Sequence, residues 1–200
     1  MNWFIKDRVL HATYRFKEDI PPALLRLTDD YEGAIPHRVG WNIPFAFLVS
    51  CSPSPSPSSP SPFSLSALPL LARALRNDLA EYLVVYPEKD IQTKKHELLH
   101  ARYRMDPVYQ QEVRALWASL SSADQKRVHA ILRALHYPDD PDILLDEFQA
   151  YYFTEPPRFF GLAGPLAKHR SLAQPRSLAQ PGPRSARSLS KKKSPMTKRK

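Results

Sequence analysis

The chain has 200 residues, with 29 Lys+Arg against 20 Asp+Glu and a formal charge of +9. The excess lies at one end, because residues 1–160 carry about −2 and residues 161–200 carry about +11, which argues against a uniformly basic nucleic-acid-binding fold. The single cysteine, Cys51, excludes an internal disulfide framework and favours a reducing compartment. No stretch reaches roughly 18 consecutive apolar residues, so the sequence predicts no membrane span and a cytoplasmic or nuclear protein.

The first part of the chain, residues 1–49, is predicted to be rich in β-structure. Alternating apolar residues over 8–16 (Leu10, Ala12, Tyr14 and Phe16) indicate a half-buried strand. A proline pair at 21 and 22 favours a short helix through ALLRL, and residues 45–49 are expected to form a second strand.

Residues 50–69 repeat Ser-Pro and supply few large side chains, so they are predicted to be a disordered insertion. The next segment, 70–82, has helical spacing of Leu71, Ala74, Leu75 and Leu79, and it leads into a short apolar strand at 82–86 that Pro87 closes.

Downstream of this strand the apolar pattern becomes helical. We therefore predict an α+β fold, with a small N-terminal β-sheet followed by a helical half that extends to residue 160. The helices are predicted over 91–103, 107–119, 122–136 and 142–153.

The first of these helices carries the motif HELLH at 96–100. His96 and His100 are four residues apart, so both imidazoles project from one helix face and can share a Zn²⁺ ion. Glu97 lies one step round the helix, where its carboxylate can hold a metal-bound water and take its proton as general base. The motif predicts a zinc site with Glu97 as its catalytic residue.

A catalytic zinc site usually takes three protein ligands, so a third must come from another element. The candidate is Glu147, which stands among apolar residues in ILLDEFQAYYF at 143–153. His129 and His136, on the helix between the two motifs, are alternative ligands. His11 and His37 have no supporting pattern.

HELLH followed by DEFQAYY resembles the gluzincin group of zinc metallopeptidases, in which a later helix supplies a ligating glutamate, often in a (D/N)ExxA setting. Asp146, Glu147 and Ala150 match that setting. The resemblance covers two short motifs within about 60 residues. It implies a zincin-like fold, Zn²⁺ on His96, His100 and Glu147, a peptide or protein substrate, and the strand at 82–86 as the edge along which an extended peptide pairs.

The chain departs from the ExxxD form of that group, because Tyr151 stands where the aspartate would be. The carboxylate that orients a ligating histidine must then come from another position, and Asp146 and Asp142 are the candidates. Tyr151, Tyr152 and Tyr103 are candidates for stabilising an oxyanion, and Tyr151 is the one we assign to catalysis.

The tail, residues 161–200, repeats RSLAQP and ends in KKKSPMTKRK. It is predicted to be disordered, and its charge suits nonspecific contact with nucleic acid or acidic surfaces. The sequence leaves two alternatives to a gluzincin-type peptidase. One is a DNA-associated SprT-like metalloprotease with a histidine as third ligand, and the other is a non-catalytic helical interaction protein with a degenerate metal site.

Overall fold

A computed structural model describes residues 1–33, 35, 38–50 and 69–162 of the chain. Nearly all of the predicted insertion and tail, and His37, lie outside these residues. The described part has an α+β fold, as predicted, with a small four-stranded sheet and a helical half. Its strands are β1 Asn2–Lys6, β2 Val9–Tyr14, β3 Trp41–Pro44 and β4 Tyr82–Pro87, and its helices are α1 Pro22–Glu32, α2 Phe45–Ser50, α3 Pro69–Arg76, α4 Ile91–Met105, α5 Pro107–Ala118, α6 Ser122–Ala134 and α7 Pro141–Thr154.

The strands are ordered β1-β2-β4-β3. Strands β1 and β2 form an antiparallel hairpin whose turn residues, Asp7 and Arg8, both have positive φ, as a tight two-residue turn requires. Strand β4 pairs in parallel with β2 and antiparallel with β3. The prediction that 82–86 forms a sheet edge is therefore wrong, because β4 has a partner on each side. The edges are β1 and β3.

The sheet is covered on both faces, so β2 is fully buried rather than half-buried. On one face, Leu10 and Leu83 pack with residues of α1, α2 and α3. On the other face, Tyr82 and Val84 pack against Ala101 of α4. Alternate residues of one strand thus serve two hydrophobic layers.

Two predicted elements differ from the structure. Residues 45–49 form helix α2 and not a strand, and the strand lies just before it at Trp41–Pro44. A short apolar run fits either periodicity, and here Phe45 and Leu48, three residues apart, face the core. Helix α3 ends at Arg76, before the predicted end at 82, and Asp78 follows it with positive φ.

The four downstream helices confirm their predicted positions to within two residues at each end. Each begins after a side chain that caps its first turn, namely Asp90, Asp106, Ser121 and Asp140. Helix α4 lies between the sheet and α7, and it runs antiparallel to α7, since Gln92 contacts Thr154 and Arg104 contacts Asp146. Among the described helices, none has the length and apolar character that a membrane crossing requires.

His11 is a buried titratable residue of the sheet. Its ring stacks on Phe4 at 4.5 Å, and its Nδ1 lies 3.1 Å from the Tyr86 hydroxyl. Burial, assisted by the charges of Lys94 and Lys6, lowers the pKa of His11 to about 4. The folded protein therefore holds this imidazole in the neutral form.

We predict that His11→Phe reduces the acid sensitivity of folding. Between pH 6.5 and about 4 the unfolded chain binds a proton at His11 that the folded chain does not, so stability present above pH 6.5 is lost as the pH falls. The wild type should lose up to about 1.4 kcal/mol per pH unit more than the variant. Urea unfolding across this range measures the difference, and equal slopes for the two proteins would contradict the prediction.

Candidate metal centre

Three predicted ligands converge where α4 packs on α7. His96 and His100 lie on the face of α4 that meets α7, and Glu147 lies opposite them. One ligand atom from each residue lies within 4.8 Å of the other two. The three side chains therefore form a cluster that could hold a metal ion.

The geometry of Glu147 fits a cation. Its Oε2 is 3.7 Å from Nε2 of both histidines, too far for hydrogen bonds. This buried oxygen has no hydrogen-bond partner within the described part of the chain. Ligands of one tetrahedral zinc ion stand roughly 3.3 Å apart, so the three atoms are close to the spacing that a shared ion requires.

The other ring nitrogens of the two histidines have protein partners. Nδ1 of His100 donates to Oδ1 of Asp146 at 2.9 Å, and Nδ1 of His96 lies 3.4 Å from the hydroxyl of Thr154. That hydroxyl donates to the Ala150 carbonyl, so it accepts from the histidine. Both partners favour a proton on Nδ1, so Nε2 is the nitrogen of each ring that faces the cluster and would bind a metal in place of a proton.

Asp146 is the orienting carboxylate, and Asp142 is not. Besides His100, Asp146 accepts from Nε of Arg104 and from Nε2 of Gln149, each at 3.1 Å. Gln149 in turn accepts from the hydroxyl of Tyr109 at 2.7 Å. The sequence left Asp146 and Asp142 as alternatives for the carboxylate that orients a histidine. Asp146 is buried and bonded to His100, so the structure selects Asp146.

The electrostatic field of the cluster favours positive charge. Burial by itself lowers the pKa of His100, but Glu147 and Asp146 outweigh it and raise that pKa to about 10. For Glu147, burial raises the pKa and the charge of His100 opposes it, leaving the pKa below its usual value. The buried carboxylates therefore stabilise a cation between them.

Glu97 points into the same cavity and is fixed by the sheet. Its Oε2 accepts from Nδ2 of Asn42 at 3.1 Å, and Oδ1 of Asn42 accepts from the hydroxyl of Tyr82 at 2.6 Å. Its other oxygen lies against Gly40, where an added Cβ would be only 2.2 Å from Oε1. Burial raises the pKa of Glu97. Strands β3 and β4 therefore set the position of the predicted general base.

A cavity of about 330 Å³ opens over the cluster, and Tyr151 lines it together with Glu97. The Tyr151 ring lies 4.6 Å from that of His96, and its hydroxyl is 3.1 Å from that of Tyr137. Burial raises the pKa of Tyr151 to about 12. Burial also raises the pKa of Tyr137, so both phenols keep their protons at neutral pH. One proton lies in the hydrogen bond between the two hydroxyls, which leaves one to donate to a group in the cavity.

The other predicted candidates lie elsewhere. His129 stacks on Trp117, and His136 is exposed at the end of α6. Neither belongs to the metal cluster found among the described residues. Tyr103 is buried on α4, and Tyr152 is half-buried on α7, where its ring packs against Phe148.

Four residues of this site were not predicted from the sequence: Gly40, Asn42, Tyr82 and Tyr137. The one available signal was a polar Asn42 inside the apolar run WNIP. Tyr82 and Tyr137 carried no signal, because they reach the site only through the tertiary fold.

Comparison of the chain with protein-family models, curated proteins and solved structures gave no significant match. Function is therefore inferred from the geometry of the cluster and from the motifs that form it.

We predict that Asp146→Asn weakens binding of a divalent metal by about 10–100-fold, because the amide no longer holds His100 with a charged acceptor. Asp142→Asn is the matched control, since Asp142 is exposed on the same helix. Isothermal titration with Zn²⁺ measures the affinities, and circular dichroism checks folding. Equal affinities for the two folded variants would contradict the assignment of Asp146.

Proposed function

We propose that this protein is a zinc-dependent metallopeptidase of the gluzincin type, with a zincin-like arrangement of sheet and helices. The observation that carries the proposal is the convergence of His96, His100 and Glu147 in one cavity with Glu97. Independent sequence motifs on two helices supply these four side chains. Hydrolysis of a peptide bond by metal-activated water uses this combination of a metal site and an adjacent carboxylate.

The donor set supports zinc among the divalent metals. Two imidazoles and one carboxylate form the three-ligand set typical of catalytic zinc, with one coordination position left open. When bound, zinc supplies a Lewis acid that polarises a carbonyl and lowers the pKa of a bound water toward about 7. His96, His100 and Glu147 would hold it.

Glu97 is the proton carrier of the proposed reaction. Asn42 holds its Oε2, and its Oε1 faces Gly40 at the cavity wall. The carboxylate accepts a proton from the attacking water and gives it to the amine that leaves the cleaved peptide bond. A fixed carboxylate performs both transfers from one position, without loss of orientation between them.

Strand β3 is the element best suited to bind an extended peptide. It pairs with β4 on one side, and no further strand of the described sheet pairs with its other side. Gly40 and Asn42, at the start of this strand, also line the cavity. A peptide bound along β3 would thus have its backbone beside the proposed metal. We therefore assign peptide binding to β3 and not to the strand at 82–86, which has a partner on each side.

Tyr151 is the proposed donor to the oxyanion that forms when water attacks the peptide carbonyl. It follows Glu147 by one helical turn and contacts the ring of His96. Tyr137 lies within hydrogen-bond distance of the Tyr151 hydroxyl and fixes its direction. The pair brings a hydroxyl donor to the same cavity as the general base.

We predict that Glu97→Gln abolishes peptide hydrolysis while the zinc content stays at one ion per chain. Loss of the proton carrier should lower kcat by about 10²–10⁴-fold. Fluorogenic peptide mixtures measure hydrolysis, and mass spectrometry of tag-free protein measures the metal. The exposed Glu88, changed to Gln, is the control. Unchanged hydrolysis in Glu97→Gln would refute the mechanism.

We also predict that Tyr82→Phe lowers kcat about tenfold with KM and zinc content unchanged. The hydroxyl of Tyr82 orients the Asn42 amide so that its nitrogen faces Glu97. Tyr86→Phe is a close control, because Tyr86 is a buried tyrosine of the same strand whose hydroxyl contacts His11 instead. The two variants should have similar stability, and an equal loss of kcat in both would show that the effect is only structural.

A further inference from the structure

A second cavity adjoins the proposed zinc site. It has a volume of about 170 Å³, the size of a side chain rather than of a folded segment. Arg38, Asn42, Tyr137 and Glu147 line both this cavity and the larger one. A molecule held at the metal cluster can therefore extend one group into the second cavity.

The charged residues of this cavity are two arginines and two acids. Asp146 already accepts three hydrogen bonds, and Glu147 is a proposed zinc ligand. The charge of each acid is thus compensated by protein groups or by the proposed ion. With a divalent ion in the cluster, the formal charge of Arg38, Arg104, the two acids and the ion is positive.

Hydrogen-bond donors dominate the rest of the lining. Arg104 uses Nε, one of its five N–H donors, toward Asp146, and about a third of its side chain is exposed. Tyr31 and Tyr137 also line the cavity, and the Tyr137 hydroxyl is the partner of the Tyr151 hydroxyl. Two guanidinium groups in one small cavity suit a planar carboxylate, which can accept several hydrogen bonds at once.

We propose that this cavity binds a carboxylate of the substrate, next to the peptide bond that is cleaved. This inference rests on the proposed peptidase function and names its substrate class. The carboxylate belongs either to an acidic side chain or to the carboxyl end of the peptide, because both present the same planar group. The peptidase would thus prefer acidic residues, or chain ends, over neutral residues of the same shape.

The test uses the full chain loaded with zinc and two dipeptide hydroxamates that differ only in glutamate or glutamine. The hydroxamate group binds the metal in both compounds and is not hydrolysed. The difference in affinity measured by calorimetry therefore reports the contribution of the second cavity. We expect the glutamate compound to bind at least tenfold more tightly. A further glutamine pair, with a free or amidated carboxyl end, distinguishes the two sources of the carboxylate.

Arg38→Gln should remove this preference while the affinity for the glutamine compound and for zinc stays within about twofold. Arg38→Lys should retain part of the preference for the glutamate compound, because lysine keeps the positive charge. Arg114→Gln is the control, because Arg114 is exposed and pairs with Asp142 outside the cavity. Equal binding of acidic and neutral compounds by zinc-loaded protein would overturn the carboxylate subsite alone. Failure to bind zinc or any hydroxamate would overturn the peptidase proposal and this inference with it.

Discussion

The antiparallel packing of α4 on α7 is the constraint on which the site depends. It buries His100, Asp146 and Glu147 together, and isolated buried charges are costly. Here each charge has a compensating partner: Asp146 bonds to His100, Arg104 and Gln149, while Glu147 faces two imidazoles. Within this cluster, Glu147 Oε2 lies between the two Nε2 atoms and has no hydrogen-bond partner among the described residues. This arrangement stabilises a cation at that point.

The sheet contributes to the site as directly as the helices do. Helix α4 covers one face of β4, which brings Glu97 against the beginning of β3. Gly40 has no side chain, so the Glu97 carboxylate can approach its backbone, and the Asn42 amide donates a hydrogen bond to Oε2 of Glu97. The proposed metal ligands therefore come from the helical half, whereas the orientation of the proposed base comes from the N-terminal sheet. Residues from both halves of the described chain therefore line one cavity.

The sequence predicted the ligand cluster because its signals are local. Two histidines four residues apart and a glutamate on an apolar helix are visible as periodic patterns, as are the four capped helices. The pairing of Asn42 with Glu97 joins residues that are 55 positions apart, and the strand order also depends on pairings between distant segments, so no periodicity reports either. Residues 45–49 were assigned wrongly because a five-residue apolar run has no period of its own. The strand at 82–86 was wrongly expected at a sheet edge because its pairing with β2 and β3 joins distant segments, which no local pattern reports.

Whether His96, His100 and Glu147 share one zinc ion can be measured by X-ray absorption spectroscopy at the zinc edge, on tag-free full-length protein. We expect one zinc per chain, with two imidazole nitrogens and one carboxylate oxygen at about 2.0–2.2 Å. The oxygen contribution should change in Glu147→Ala. A shell with three imidazoles, or a zinc content well below one per chain, would refute the proposed zinc site.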